Sequence, residues 1–294
     1  MDAASLVEEW EAQGSRIDTR HGRVFVMDVP AAEPGGSPPL LVIHGFPTCS
    51  FDFRTVLPAL SERRRVVLFD QLGFGLSEKP DRRYGIHLHA DCTQDVAAAL
   101  GLGEVDLLTH DMGDSVGGEL LARDLDGGLD PLSIRRRVLT NGSIYLSLAQ
   151  LTAGQQLLMA MPDEAAQVPD EGAYLASLAN TMADPAAAPR EELAPQWPLL
   201  AHAGGERLLP RTIRYLEDRM AEEDRYTGAI ESHPSPLGIV WGAEDPIAVV
   251  AMAHRLADVR PDAPVTVLDG IGHYPMVEAP DAFAAAVLAH LGAP

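Results

Sequence analysis

Short apolar, β-branched runs alternate with segments of helical periodicity along most of the chain. This is the pattern of a parallel sheet covered by helices. Arg23–Val29 (RVFVMDV) reads as a strand, followed by a proline- and glycine-rich loop over Pro30–Pro39. Leu40–His44 (LLVIH) is nearly all apolar, as a strand buried on both faces should be. Arg65–Asp70, Val105–Thr109, Arg137–Thr140, Leu237–Trp241 and Pro264–Leu268 continue the series. Helices are expected over Phe53–Leu60, His89–Leu100, Gly113–Arg123, Ala248–Val259 and Asp281–Leu291. The expected fold class is α/β, with a mostly parallel central sheet flanked by helices.

One stretch breaks the alternation. Residues 143–236 show no strand pattern and are rich in Ala, Leu, Met, Glu and Arg, punctuated by Pro162, Pro169, Pro185, Pro189 and Pro195. Several helices separated by proline loops give that composition. Strand patterning then resumes for two more strands, which favours a helical cap inserted into one sheet over a separate helical domain. The expected division is a core of residues 1–142 and 237–294 with a cap of residues 143–236.

Composition narrows the function classes. The 294 residues are 46% hydrophobic and 22% charged, enough for one sizeable core and too apolar for a disordered chain. Acidic residues outnumber basic ones 43 to 22, for a formal net charge of −21. Such a surface repels phosphate backbones and anionic lipid, so neither nucleic acid nor membrane is an expected partner. The charge says little about a small ligand, and a small, largely apolar substrate is expected. The two cysteines, Cys49 and Cys92, cannot make a disulfide framework. The first residues lack the basic segment and apolar stretch of a signal peptide, and no run approaches the roughly 20 apolar residues of a membrane span. A cytoplasmic monomer or homodimer is expected, with no cofactor and no metal. His87-x-His89-x-Asp91 leads into a helix and reads as surface rather than as a metal site.

Ligands of open parallel sheets bind at the carboxyl ends of the strands. Thr109-His110-Asp111-Met112-Gly113-Asp114-Ser115-Val116-Gly117 follows one strand and admits two registers. A G-x-S-x-G pattern at Gly113–Gly117 would make Ser115 the nucleophile of an esterase. That register would carry the strand through His110, Asp111 and Asp114, burying charge in the sheet at a cost of several kcal/mol (order of magnitude) or a shifted pKa. The other register places Asp111 on the strand–helix turn and Ser115 one helical turn later, and it is preferred. Gly242-Ala243-Glu244-Asp245-Pro246 then puts a carboxylate at a later strand end, and Gly270-Ile271-Gly272-His273-Tyr274-Pro275 an imidazole. His273 can take a proton from water while Asp245 fixes its tautomer. His44-Gly45-Phe46-Pro47 can aim the Phe46 N–H at an oxyanion beside the Met112 N–H.

HGFP, Asp70-Gln71-Leu72-Gly73-Phe74-Gly75-Leu76-Ser77, the HDMG turn, GAEDP and GHYP, in this order, resemble the α/β-hydrolase superfamily over nearly the whole chain. An aspartate at the turn is similar to its epoxide hydrolase and haloalkane dehalogenase branch. Asn141-Gly142-Ser143-Ile144, Tyr215-Leu216-Glu217-Asp218-Arg219, Arg225-Tyr226 and Gly228 resemble the mesoderm-specific transcript subfamily. The resemblance implies a covalent aspartyl-ester mechanism. Dehalogenases of this branch usually carry a tryptophan after the nucleophile and Asn or Glu after His-Gly, where this chain has Met112 and Phe46. Epoxide hydrolases resemble it in HGFP and use cap tyrosines as proton donors. Tyr215 matches the second of these, with Tyr145 and Tyr174 as candidates for the first. His44 and Trp197 complete the expected substrate-binding set. The expected reaction is epoxide hydrolysis to a diol, ahead of dehalogenation of a haloalkane or haloacid by the same residues, and of a serine esterase through Ser115.

Overall fold

The computed structural model describes residues 2–33, 36–164 and 169–292. Residues 34 and 35 of the expected Pro30–Pro39 loop and 165–168 of the expected cap lie outside that set. The chain starts with helix α1 (Ala3–Gln13) and the hairpin of β1 (Ser15–Thr19) and β2 (Gly22–Val29), and continues through β3 (Leu40–Ile43), a 3-10 turn at Ser50–Phe53, α2 (Leu57–Leu60) and β4 (Val66–Phe69). Then come α3 (Ile86–Ala99), β5 (Glu104–His110), α4 (Met112–Leu125) and β6 (Ser133–Thr140). After a long excursion the sheet resumes with β7 (Leu237–Gly242) and closes with β8 (Val265–Leu268).

The eight strands lie in the order β1-β2-β4-β3-β5-β6-β7-β8, with β2 antiparallel to both its neighbours, β1 and β4, and every other pairing parallel. Successive residues of β3 face opposite layers, as strand geometry requires. Leu40 and Val42 pack with Phe25, Leu108, Val138 and Phe283, whereas Leu41 and Ile43 pack with Val24, Leu107, Ile239 and Trp241. Burial on both faces is why the central strands announce themselves as unbroken apolar runs. The edge strand β1 (SRIDT) is half exposed and has no such run, so the pattern misses it, along with α1.

Three expected helices start elsewhere than the periodicity suggests. His89–Leu100 begins three residues earlier, as α3 at Ile86. Phe53–Leu60 is split into the 3-10 turn and α2, which carries Pro58 in its first turn. Ala248–Val259 begins as α12 only at Ala251, because the Asp245 carboxylate accepts from the backbone N–H of Ile247 (2.7 Å) and Ala248 (3.0 Å) and holds them in a turn.

Between β6 and β7 every regular element among the described residues is helical: α5 (Ala153–Ala160), α6 (Glu171–Ala179), α7 (Arg190–Leu193), α8 (Gln196–Ala201), a 3-10 segment at His202–Leu208, α9 (Leu209–Thr212), α10 (Tyr215–Ala221) and α11 (Glu223–Ser232). The last of these packs on α4, so close that a Cβ on Gly118 would lie 2.9 Å from the Tyr226 carbonyl oxygen. It therefore belongs to the layer that covers the sheet. After α12 and β8 come α13 (Pro275–Glu278) and α14 (Pro280–Leu291). Among the described residues no helix is long and apolar enough to cross a membrane.

Candidate active site at the strand ends

β5 runs through His110, and α4 begins at Met112. Asp111, the single residue between them, has φ 51° and ψ −114°, outside the ordinary regions for a side chain with a Cβ. Such a conformation costs about 1–3 kcal/mol and persists only where the surroundings impose it. Two glycines make the turn sterically possible. A Cβ on Gly113 would lie 2.3 Å from the Ile43 carbonyl oxygen, and one on Gly45 would lie 2.6 Å from Asp111 Cβ. The Phe46 N–H donates to Asp111 Oδ2 at 2.9 Å. Met112 supplies the first amide of α4, which has no carbonyl partner within its own helix.

His273, after β8, places Nε2 3.9 Å from Asp111 Oδ1 and donates from Nδ1 to Asp245 Oδ2 at 2.7 Å. Asp245 accepts four bonds in all: the two turn amides, His273, and Asn141 Nδ2 at 2.7 Å. Asn141 was not singled out for a role by sequence reasoning. It sits at the end of β6 with φ 52°, and its Oδ1 accepts from Gly242 N–H at 3.0 Å. An asparagine next to a glycine at a strand end was the available signal. Burial disfavours a charged His273, but Asp245, Asp111 and Glu278 outweigh it and push the imidazole up to about 9. Glu278 also accepts from the N–H groups of Gly272 (2.9 Å), Tyr274 (3.1 Å) and Ala183 (2.9 Å). His110 Nε2–H donates to the His273 carbonyl oxygen at 2.8 Å, and burial drives the His110 imidazole well below its ordinary range, so β5 carries it neutral. The imidazole is thus held in place from its ring and from both sides of its backbone.

Tyr215 is fully buried, its hydroxyl has no hydrogen-bond partner, and its ring lies 5.8 Å from that of Phe46. Burial, with Asp111 adding, raises its phenol, and Arg219 acts against both. Ser115 lies inside the first turn of α4, where Arg219 Nε donates to its Oγ at 2.8 Å. It has no hydrogen bond to His273. Asp114, beside it, accepts from Thr109 Oγ1, and burial pushes its carboxyl well above the usual range despite that bond.

A cavity of about 680 Å3 opens under the helical excursion. His273, Phe46, Tyr174 and Tyr274 stand in its wall with Leu157, Leu158, Met161, Leu178, Leu209 and Ile247. No Asp, Glu, Lys or Arg is among its described lining residues. Asp111 and Tyr215 are not in the wall; both contact Phe46, which is.

Three expected substrate-binding residues lie elsewhere. Both ring nitrogens of His44 serve the backbone: Nδ1–H donates to Gly45 O at 2.8 Å and Nε2 accepts from Gln71 N–H at 2.9 Å. Tyr145 belongs to the opposite apolar layer, donating to Glu231 (2.8 Å) beneath the Arg255 guanidinium (4.0 Å), and is no partner for Tyr215. The Trp197 ring lies 6.0 Å from that of Tyr174 and is not among the described lining residues of the cavity. The sequence reading also passed over Asp52. This buried carboxyl takes bonds from Thr48 (2.5 Å) and from Gln196 of α8 (2.9 Å), and burial pushes it up to about 7. Among the described residues no group of three or more His, Cys, Asp or Glu side chains could hold a metal ion.

Residues 38–280 match the family model described as alpha/beta hydrolase fold. LipZ from Mycobacterium tuberculosis, named as a hydrolase, is 41% identical over 97% of this chain and 98% of its own. The mesoderm-specific transcript protein of Mus musculus is 29% identical over 94% of this chain and 85% of its own. Haloalkane dehalogenase 2 of Mycobacterium bovis is 28% identical over 94% of both chains. Among solved structures, the epoxide hydrolase CorEH superposes with a TM-score of 0.75 over 94% of this chain and 97% of its own; at 18% identity this shows a shared fold.

Proposed function

We propose, from the premise that this chain belongs to the α/β-hydrolase family and is a hydrolase enzyme, that it opens epoxides to vicinal diols through an ester on Asp111. The observation that carries the proposal is the unpartnered, buried phenol of Tyr215 beside an aspartate that His273 and Asp245 back up. Asp111 Oδ1 attacks an oxirane carbon, the C–O bond breaks, and the Tyr215 proton passes to the departing oxygen. Alkylation removes the negative charge of Asp111, one of the causes that hold His273 up near 9. With that charge gone the imidazolium gives up its proton, the Tyr215 phenolate is reprotonated, and the neutral imidazole is the base for the second step. Water, deprotonated at His273 Nε2, then attacks the ester carbonyl. The oxyanion forms on the oxygen that the Phe46 N–H holds, with the Met112 N–H as second donor. Its collapse breaks the acyl carbon–alkoxide bond, the alkoxide takes the proton from His273 and leaves as the diol, and Asp111 is regenerated as a carboxylate.

Apart from His273, the described wall of the cavity carries no charged side chain and is mostly apolar, which favours an uncharged substrate of substantial size. Dehalogenation is the second reading, favoured by the likeness to haloalkane dehalogenase 2. Against it, Phe46 and Met112 offer no side-chain N–H to a departing halide. Ser115 as nucleophile lacks a base, since its Oγ is engaged by Arg219. A cytoplasmic location is part of the proposal and fits the two free, buried cysteines. The test is incubation with epoxides, haloalkanes and p-nitrophenyl esters, scoring diol, halide and phenol separately. Single turnover of an epoxide in 18O-water is expected to place the label in the peptide carrying Asp111. Halide release outrunning diol formation would move the assignment to dehalogenation.

A further inference from the structure

We propose that Arg219 is a positioning residue for the Tyr215 phenol, and that Ser115, the serine of the G-x-S-x-G pattern, is its anchor; this rests on the proton-donor role of Tyr215 proposed above. Arg219 is only 3% exposed, yet it forms no ion pair with a carboxylate among the described residues. A buried guanidinium without an anion is costly, and its remaining contacts say what holds it there. Its Nε donates to Ser115 Oγ at 2.8 Å, and its central carbon lies 5.0 Å from the centroid of the Tyr215 ring. Tyr215 and Arg219 are four residues apart on α10, so one helical turn sets them side by side. Arg219 Nη2 and the Tyr215 hydroxyl are both buried and unpartnered.

Two further charged or titratable groups bear on this pair: Asp111 at the turn and Asp114 in the first turn of α4. Burial pushes the Asp114 carboxyl well above its usual range, and its bond is from Thr109 Oγ1 rather than from the guanidinium. Burial and Asp111 both oppose loss of the Tyr215 proton. When the phenol hands that proton to the oxirane oxygen, negative charge spreads into a ring that the guanidinium faces, and the cation stabilises it. Ser115 fixes the fork over the ring. In this arrangement the serine of the pattern acts on the acid of the reaction and never on the substrate.

The test uses the full chain with fluorinated tyrosine incorporated, which makes the phenols more acidic and visible to 19F NMR; Tyr215→Phe identifies the Tyr215 signal. Arg219→Met is expected to raise the pH at which that signal titrates by about one unit, a tenfold change in acid strength. Arg219→Lys is expected to recover part of the shift, and Ser115→Ala to move it the same way by less. With an epoxide, kcat of the unlabelled Arg219→Met protein is expected to fall roughly tenfold with KM little changed, in the same rank order across variants. An unchanged Tyr215 titration in folded Arg219→Met overturns the proposal. If that variant does not fold, Ser115→Ala decides, and an unchanged titration there overturns it. A shifted titration with kcat unaltered in an active enzyme also overturns it. A shifted titration in a protein that makes no diol leaves the control of Tyr215 by Arg219 standing and removes the epoxide assignment.

Discussion

The strand ends and the helical excursion between β6 and β7 build the site in different ways. At the strand ends, Asp111 follows directly on β5, and Asp245 and His273 stand in the short loops just after β7 and β8. Parallel pairing of β5, β6, β7 and β8 in one sheet sets the spacing of these positions. In the excursion, Tyr145, Tyr174 and Tyr215 share a residue type and a stretch of chain but end up in three environments. Tyr145 is in the far apolar layer, Tyr174 in the cavity wall, and Tyr215 beside Asp111. A sheet transmits sequence position into geometry; short helices joined by proline loops do not, because each docks by its own side chains.

If that contrast is functional, substitutions at the strand ends are expected to cost the most. Asp111→Ala is expected to lower turnover by roughly 10⁴-fold or more, as loss of a nucleophile does, while Ser115→Ala stays within about fivefold. Steady-state rates on one substrate check both, and the reverse order would move the nucleophile into α4. His273→Gln is expected to stop the second step and leave the first, since the Asp111 carboxylate needs no base. Mass spectrometry should then find a stable adduct on the peptide carrying Asp111. A folded, substrate-binding variant without adduct would break the covalent scheme.

Within the excursion the expected effects are smaller and unequal. Tyr215→Phe is expected to reduce epoxide turnover by about 10²-fold with little change in binding, whereas Tyr145→Phe leaves it within about twofold. Equal losses in the two variants, measured as kcat and KM, would erase the distinction drawn between them.

The smallest expected effect concerns Asp52, where α8 meets the core. Its folded pKa of about 7 lies above the unfolded value near 3.8, so the native state binds the extra proton between those pH values. Stability therefore falls as pH rises through that window. His273, raised from 6.5 to about 9, adds a fall of its own at higher pH that a difference between two proteins cancels. Asp52→Asn, whose amide can still bond Thr48 and Gln196, is expected to flatten the decline in Tm between pH 5 and 8. Parallel curves for wild type and variant would mean that Asp52 titrates normally.

By itself the sequence determined the central strands, the order of Asp111, Asp245 and His273, and the preference for Asp111 over Ser115 at the turn. Those inferences need only local patterns: apolar runs for strands buried on both faces, and the requirement that a reactive side chain follow its strand at once. It left the edge strand β1 hidden, because a half-exposed strand has no such run. Tertiary structure alone decided that Asn141 holds Asp245, 104 residues away, and that Arg219 holds Ser115 at the same separation. It alone paired Tyr145 with Glu231, 86 residues on, and turned both nitrogens of His44 to the backbone. Hydrogen bonds across such separations depend on how helices dock, and docking is set by the shapes of surfaces that no single segment contains.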